Sequence, residues 1–381
     1  MIGLRVFVAL WLVVAIGAAP RAQRSGLTGA PQIARAYEAV FDARFDEVPA
    51  LLNETCPPAP AEACQLMEGV SLWWQIQMDP HRTDHDVRFQ AMADMAIEAA
   101  DAWTVREPMR AEAWFYRGGA YGVRAQWRAL RGQTLAAARD GKRIKESLEQ
   151  ALSLDPSMHD AHFGIGLYRY YADVVPAVAR MLRWLLLLPG GDREEGLAQM
   201  LKARSAGQLL AGEADYQLAL VYLWYERRPR RSVELLTALR TRHPHNPHFL
   251  QLAAEIEENN LGNPAASLQS WQALLDAARA GGVAEPDMSE VRARLGIARQ
   301  LERLGEADAA LPHLRAVIAA NPEAPYGALA QAHLQLGQTM QRLEMREEAM
   351  AAYRTSLASV PEDDRTGIAD RAREGLRAMR R

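Results

Sequence analysis

Only two cysteines occur among the 381 residues, and the formal net charge at pH 7 is only −3. A chain so close to neutral lacks the strong basic excess of nucleic-acid-binding proteins. No stretch rich in valine, isoleucine and threonine alternates with a period of two, which argues against β-sheet. The sequence also has no His-Glu-x-x-His motif, no nucleophile elbow and no phosphate-binding glycine loop. We therefore predict a protein that is not an enzyme and has no cofactor and no resident metal.

Alanine and leucine dominate the composition, and 49% of the residues are hydrophobic. Both residue types favour helices. Because strand patterns are missing, this composition predicts an all-α protein. The length is enough for two or three ordinary domains or for one extended array of repeats.

Residues 1–22 have the pattern of an export signal. Arg5 precedes an apolar run from Val6 to Ala19, which is of signal-peptide length and short for a membrane span. We expect the exported chain to begin near Gln23 and to lie in the periplasm or otherwise outside the cytoplasm. Pro20 makes cleavage awkward, so the alternative is an uncleaved anchor in the inner membrane. Membrane contact is expected only through that segment.

The two cysteines, Cys56 and Cys64, flank a proline-rich stretch that cannot be helical. In an exported protein, this arrangement predicts a disulfide that closes a short loop. The alternative is a pair of reduced, partly buried thiols. Two thiols alone do not supply the four ligands of a structural zinc site.

Helix pairs recur along the chain with one shared pattern. The first helix has an aromatic and a small residue, the second has alanine and a large apolar residue, and a proline closes the pair. Two copies have the same length, from Tyr216 to Pro244 and from His333 to Pro361. A third runs from Leu295 to Pro322, and a longer fourth from Trp114 to Pro156. One pair cannot bury its apolar face alone, so we expect the pairs to stack.

This pattern resembles the tetratricopeptide repeat over 290–361 and, more loosely, over 110–275. The resemblance implies a right-handed superhelical array of antiparallel helix pairs, which serves as an interaction scaffold and carries no catalytic residues. The central stretch, with Gly164-x-Gly166-Leu167 and the Gly190-Gly191 turn, also resembles the tetratricopeptide-repeat-39/Iml2 family. His333 in place of an aromatic residue and Arg117 in place of leucine depart from the repeat pattern.

The chain divides into four expected regions. They are the signal peptide 1–22, an N-terminal helical region 28–110 with the disulfide loop, degenerate helix pairs over 111–277, and C-terminal tetratricopeptide repeats over 289–381 that end in a charged capping helix. Residues 278–289 form the linker. Within the third region, Gly164 and Gly166 are expected where two helices touch. The apolar helix over 178–188 is expected to be buried between repeats, with membrane-surface contact as the alternative.

One helix is expected to carry a basic stripe, because its cationic residues recur at intervals of three and four. Together with two residues of the partner helix, the predicted ligand-binding residues are Arg117, Tyr121, Arg124, Arg128, Arg131, Lys142 and Arg143. Only Asp140 is acidic between 117 and 145. We predict that this stripe binds an anionic partner. The alternative is that acids of neighbouring helices, such as Glu112 or Glu146, neutralise it.

A second candidate site is the histidine cluster His243, His245 and His248. Three imidazoles close in sequence are able to bind zinc or copper. Two intervening prolines, however, are typical of an ordinary repeat end. His81 and His85, beside Asp84 and Asp86, form a similar but weaker candidate.

These observations favour an exported repeat scaffold that binds a protein or peptide in the cell envelope. A partner with an acidic segment or a free C-terminal carboxylate suits the two-point geometry of guanidinium groups. The alternative function is an envelope enzyme or metal-binding protein that uses the histidine cluster.

Overall fold

Local sequence signals set the beginnings of many helices. Proline occupies the first helical position at Pro229, Pro247 and Pro264, where its missing N–H costs no hydrogen bond. The side chains of Asp192 and Asn263 accept hydrogen bonds from the first turn of the helix that follows each of them. These caps explain why the connections between helices are short.

The computed structural model describes residues 26–174 and 190–379. Over these ranges the chain forms seventeen α-helices and no β-strand. In chain order the helices are α1 (Ala30–Phe41), α2 (Val48–Thr55), α3 (Ala61–Met78), α4 (Asp86–Arg106), α5 (Ala111–Leu130), α6 (Thr134–Leu154), α7 (Ala161–Val174), α8 (Arg193–Ala206), α9 (Ala211–Trp224), α10 (Pro229–Arg242), α11 (Pro247–Asn259), α12 (Pro264–Arg279), α13 (Pro286–Arg303), α14 (Ala307–Ala320), α15 (Ala328–Arg342), α16 (Arg346–Ala358) and α17 (Ile368–Ala378).

These helices stack as consecutive antiparallel pairs, from α3 with α4 to α15 with α16, and α17 covers the last pair. The predicted all-α, tetratricopeptide-like solenoid is confirmed. The predicted charged terminal helix is α17, and the proposed linker corresponds to the turn between α12 and α13. The expected signal peptide 1–22 and the apolar helix 178–188 lie outside the described residues.

Glycines let the stacked helices approach closely. A Cβ atom built on Gly337 of α15 would lie 2.7 Å from the ring of Tyr353 in α16, and one on Gly375 of α17 would lie 2.5 Å from the same ring. Tyr353 is therefore held between two helices that each present a glycine. This is the small–large complementarity that the repeat pattern predicted.

The central glycines pack as predicted. A Cβ atom on Gly166 of α7 would lie 2.7 Å from the carbonyl oxygen of Gly196 in α8, so the two backbones touch. Gly164 faces Leu148 of α6, whose Cδ1 atom would be 2.5 Å away from the added Cβ. Both glycines are thus required by helix packing.

The N-terminal helices pack against the middle of the array. The ring of Trp74, on α3, lies 5.1 Å from that of Tyr216 on α9 and 6.0 Å from that of Phe249 on α11. The carbonyl oxygen of Phe41, at the end of α1, accepts a 2.7 Å hydrogen bond from the Asn246 side chain. The array therefore curls so that α1 and α3 meet α9 and α11, and aromatic side chains fill the space between them.

Cys56 and Cys64 are joined in a disulfide, with their Cα atoms 6.4 Å apart. The bond closes the proline-rich loop between α2 and α3, as the sequence predicted. None of the described helices is long and apolar enough to cross a membrane.

Candidate functional site

The basic stripe lies on α5 and faces acidic residues of α4. Arg117 donates to Asp101 at 2.5 Å, Arg124 to Asp94 at 2.7 Å, and Arg131 to Asp86 at 2.7 Å. The two helices are antiparallel. Residues of increasing number on α5 therefore pair with residues of decreasing number on α4. We call this set of three ion pairs the α4–α5 ladder.

Asp140 neutralises the middle of the stripe from the opposite side. This residue of α6 is buried, with 2% of its surface exposed. Its carboxylate accepts hydrogen bonds from Arg124 at 2.9 and 3.1 Å and from Arg128 at 2.6 Å. A buried carboxylate with three charge-assisted hydrogen bonds is a structural element, because removing the cations would leave its charge unsatisfied.

Tyr121 is the hub around which the stripe is arranged. Three guanidinium groups, those of Arg117, Arg124 and Arg143, lie 5.2 to 5.3 Å from the centre of its ring. Its hydroxyl donates to Asp101 at 3.0 Å and accepts from Arg143 at 2.9 Å. Burial is the main cause that raises the pKa of this hydroxyl. Tyr121 therefore orients the arginines rather than standing free for a ligand.

The acidic residues that form ion pairs with the basic stripe are mostly not those that the sequence suggested. Glu112 accepts from Arg110 and from Thr28 instead, while Glu146 does lie 3.8 Å from Lys142. Sequence reasoning missed Asp86, Asp94 and Asp101. These aspartates are eight and seven residues apart, and their arginine partners on α5 are seven residues apart. Such matching spacings on neighbouring helices are the sequence signal of a ladder of ion pairs.

Two cations at the edge of the stripe stay exposed on α6. Among the described residues, neither Arg139 nor Arg143 has a carboxylate within ion-pairing distance, and the Arg143 guanidinium donates to the Tyr121 hydroxyl. Lys142 has only the long contact to Glu146. An anionic group approaching this surface would meet these three side chains first.

One cleft has a volume of about 520 Å³ and lies between the N-terminal helices and the connection from α12 to α13. Its apolar lining comes from Phe45 in the α1–α2 connection, Met78 at the end of α3, and Met288 in α13. Four acidic residues also line it, namely Asp46, Asp79, Asp84 and Glu285, beside the basic residues Arg82 and His85. The cleft thus combines apolar surface with a surplus of carboxylates.

A second cleft, of about 430 Å³, lies on the other side of the α3–α4 connection. Arg131, the last residue of the stripe, lines it together with Arg365 and His81, and no acidic residue of the described chain does so. The guanidinium of Arg365 donates to the His81 carbonyl oxygen at 2.7 Å. Residues 79–85 therefore separate an acid-lined cleft from a base-lined one.

The predicted histidine cluster does not converge on one point. The imidazole of His245 contacts Asp42 at 2.8 Å, that of His248 contacts the Tyr216 hydroxyl at 3.0 Å, and that of His243 packs edge-on against Phe41. Burial lowers the pKa of both His243 and His248 to about 4. Within residues 26–174 and 190–379, no group of three potential ligands is arranged to hold a metal. These histidines instead join the N-terminal helices to α11.

A buried carboxyl lies beside this junction. Glu213 of α9 is 4% exposed and accepts a 3.1 Å hydrogen bond from the Tyr37 hydroxyl of α1. Gln217 donates to it at 3.4 Å, and no described residue forms an ion pair with it. Burial raises the pKa of Glu213 to about 7, because the hydrogen bonds from Gln217 and Tyr37 compensate only in part for the lost hydration of its charge.

No protein-family model matches the chain, and no curated protein matches it. It is similar to a chain in the crystal structure of the APC/C hetero-tetramer Cut9-Hcn1, with 13% identity and a TM-score of 0.41 over 87% of this chain. This chain spans 59% of that one. It is also similar to the human IFIT1 dimer with m7Gppp-AAAA, with 12% identity and a TM-score of 0.41 over 93% of this chain and 82% of that one. For NprR in complex with its cognate peptide NprX, the identity is 9% and the TM-score 0.39, over 92% of this chain and 82% of that one.

Proposed function

We propose that this protein is an exported, non-catalytic repeat scaffold that binds a segment of another protein or a peptide in the cell envelope. The observation that carries the proposal is the 520 Å³ cleft between the N-terminal helices and the connection from α12 to α13. Its volume lies in the range of sites that enclose a small ligand or a few residues of a chain. Helix-pair scaffolds bind their partners through concave surfaces of this kind.

The residues that line the cleft indicate which kind of peptide segment would bind there. Phe45 offers apolar contact, and the nearly buried side chains of Met78 and Met288 add a small apolar surface beside it. Asp46 and Glu285 are exposed at the cleft and attract a positive charge. We therefore propose a segment in which a large apolar side chain stands next to lysine or arginine.

The base-lined cleft adds a preference for a negative group at one end of the same segment. Arg131 and Arg365 already hold carboxylates of their own chain, but His81 and Thr83 remain exposed beside them. A free C-terminal carboxylate of the bound segment, a short distance from its lysine or arginine, fits this cleft. For the basic stripe, we propose the exposed residues Arg139 and Arg143, with the partly buried Lys142, as the part that meets an acidic partner.

Export is part of this proposal. The apolar pattern of residues 1–22 supports it, and so does the disulfide between Cys56 and Cys64, since such bonds persist in oxidising compartments. The uncleaved membrane anchor remains the alternative form of the same proposal.

Selection of random peptides with free C-termini on the purified protein tests the binding proposal. We expect the selected peptides to carry a basic residue beside an apolar one. The double variant Asp46→Lys with Glu285→Lys should weaken their binding at least about tenfold, because it replaces attraction by repulsion. Asp276→Lys with Glu374→Lys is the matched control, since it makes the same change of charge at exposed positions elsewhere. Equal binding to both double variants, or no selected peptide at all, would refute the proposal.

A further inference from the structure

The first helix pair touches the last one across the array. Residues 79–85 connect α3 to α4, while Tyr326 and Arg365 precede and follow the pair of α15 and α16. Asp79 accepts a 2.8 Å hydrogen bond from the backbone N–H of Tyr326, and the carbonyl oxygen of His81 accepts one of 2.7 Å from the Arg365 guanidinium. The rings of His81 and Tyr326 have their centres 6.2 Å apart. We call these three contacts the latch.

The terminal unit, which is residues 326–378, does not need the latch in order to fold. Pairs in a stacked array are stabilised by their neighbours in sequence, and contacts between distant pairs are additional. Helices α15, α16 and α17 have a hydrophobic core of their own around Tyr353. They rest on the preceding pair through Ala328 and Ala332, which belong to the neighbouring core. The latch therefore joins two units that are each held by other contacts.

The latch consists of polar contacts near the surface. The Arg365 side chain is 36% exposed, and its ion-pair partner, Asp363, belongs to the same connection. Exposed polar contacts of this kind each contribute little free energy, so opening the latch costs little. Residues 79–85 stay in place when it opens, because α3 is fixed by its aromatic contacts and Asp79 also faces Arg292 of α13 at 3.7 Å. The part that moves is thus the terminal unit.

The latch closes one side of the base-lined cleft. Of the six described residues that line this cleft, Arg365 alone belongs to the terminal unit, and the others come from the first two helix pairs and their connections. Movement of the terminal unit would therefore withdraw the Arg365 side chain and open the cleft to solvent. The cleft has its present form only while the latch is closed.

We propose that the latch is a conformational switch that opens and closes the base-lined cleft through movement of the terminal unit. The open form admits a ligand, and the closed form encloses it beside Arg365. A ligand that contacts Arg365 only in the closed form shifts the equilibrium toward that form by its difference in affinity for the two forms. The switch itself is a property of this chain, whereas the identity of the ligand, a peptide segment with a free carboxylate, rests on the proposed function.

Distances between two spin labels test the switch without any ligand. The labels are attached at Val87→Cys on α4 and Glu374→Cys on α17, two exposed positions, while the native cysteines are paired with each other and do not react. In this labelled protein, Arg365→Ala with Tyr326→Ala removes two of the three latch contacts. We expect the population at longer distances to rise at least about threefold, which is the effect of losing two weak surface contacts.

Arg230→Ala with Trp224→Ala is the matched control for the latch variant. It also removes one arginine and one aromatic side chain from exposed positions, but away from the latch. Its distance distribution should equal that of the labelled parent protein. An unchanged distribution in the latch variant, or an equal change in the control, would overturn the proposal.

A covalent link across the latch tests its effect on binding. His81→Cys with Arg365→Cys is joined by a short bismaleimide, and the same variant with each thiol capped by N-ethylmaleimide is the control. The link should slow the release of peptides selected on the purified protein at least about tenfold, because the cleft cannot open. Equal release from both forms overturns the switch. If no peptide binds to the parent protein while the spin-label distances shift as expected, the switch stands and the proposed peptide binding fails.

Discussion

The indole of Trp74 lies 5.1 Å from the phenol ring of Tyr216, although one belongs to the first helix pair and the other to the fourth. This contact closes the curl of the array. Phe41 and Phe249 extend it on either side, with ring centres 4.7 and 6.0 Å from that of Trp74. An aromatic core therefore holds the N-terminal helices against the middle of the solenoid, and the 520 Å³ cleft lies beside that junction.

Glu213 makes the stability of this junction depend on pH. Its pKa is raised from 4.5 to about 7, so the folded state binds the proton more tightly than the unfolded state does. The stabilising contribution is complete below pH 4.5 and is lost as the pH rises through 7. The shift corresponds to roughly 3 kcal/mol, because one pKa unit is worth about 1.4 kcal/mol.

We expect Glu213→Gln to remove this dependence. At pH 8 the variant should be more stable than the parent protein by up to about 3 kcal/mol, and near pH 4.5 the difference should vanish. Urea unfolding at several pH values measures it, and the difference between the two proteins cancels the contributions of other titrating groups. A constant difference at all pH values would show that Glu213 has an ordinary pKa.

The glycine contact between α7 and α8 gives a second prediction. Gly166→Ala should lower the free energy of unfolding by about 1–3 kcal/mol, because its Cβ atom would lie 2.7 Å from the Gly196 carbonyl oxygen. Gly122→Ala is the matched control. It lies within α5 with no atom near the added Cβ, so it should stabilise the protein by about 0.5–1 kcal/mol. Thermal unfolding of both variants decides the comparison, and equal effects would contradict it.

The sequence could predict the stacked pairs because their determinants are local. Tyr353 follows Gly337 at the distance that one helix pair imposes, and the pattern recurs along the chain. The α4–α5 ladder was also predictable, since Asp86 and Arg131 belong to two matching series of spacings on adjacent helices. The contact of Trp74 with Tyr216 could not be predicted from the sequence. Which distant pairs meet depends on small angles that accumulate from one repeat to the next, and no local pattern records their sum.

The histidine cluster shows the same limit of prediction from sequence. Their closeness in sequence predicted a possible metal site, because spacing reveals which residues are near but not where their side chains point. In the fold, His245 turns to Asp42 of the N-terminal region and His248 turns to Tyr216. Both partners are distant in sequence, so the structural role could not be derived from the cluster itself.

The export proposal predicts the covalent state of the mature protein. Mass spectrometry of protein from the producing cells should find an N-terminus near Gln23 and no free thiol at Cys56 or Cys64 before reduction. Replacing both cysteines by alanine should cost roughly 2–3 kcal/mol of stability. An intact N-terminus in the membrane fraction would support the anchored form instead, and alkylated thiols at both cysteines in cytoplasmic protein would contradict export.

The two halves of the basic stripe should respond differently to mutation. Arg124→Ala with Arg128→Ala removes both cationic partners of buried Asp140 and should cost about 3–5 kcal/mol. Adding Asp140→Ala should restore part of that loss, because the unsatisfied charge disappears. Chemical denaturation of the double and triple variants measures this coupling. A triple variant less stable than the double one would show that Asp140 is stabilised by other groups.

Arg139→Ala with Arg143→Ala should cost no more than about 1–2 kcal/mol, since both residues are exposed and only the contact of Arg143 with Tyr121 is lost. The same pair should weaken the binding of an acidic peptide and reduce its dependence on salt, because exposed charges act through solvent that ions screen within about 10 Å at 0.1 M. Titrations at 50 and 300 mM salt make the comparison, with Arg230→Ala and Arg346→Ala as a control that removes the same charge elsewhere. If the α6 variant binds such peptides as well as the control does, the stripe serves only to hold α4, α5 and α6 together.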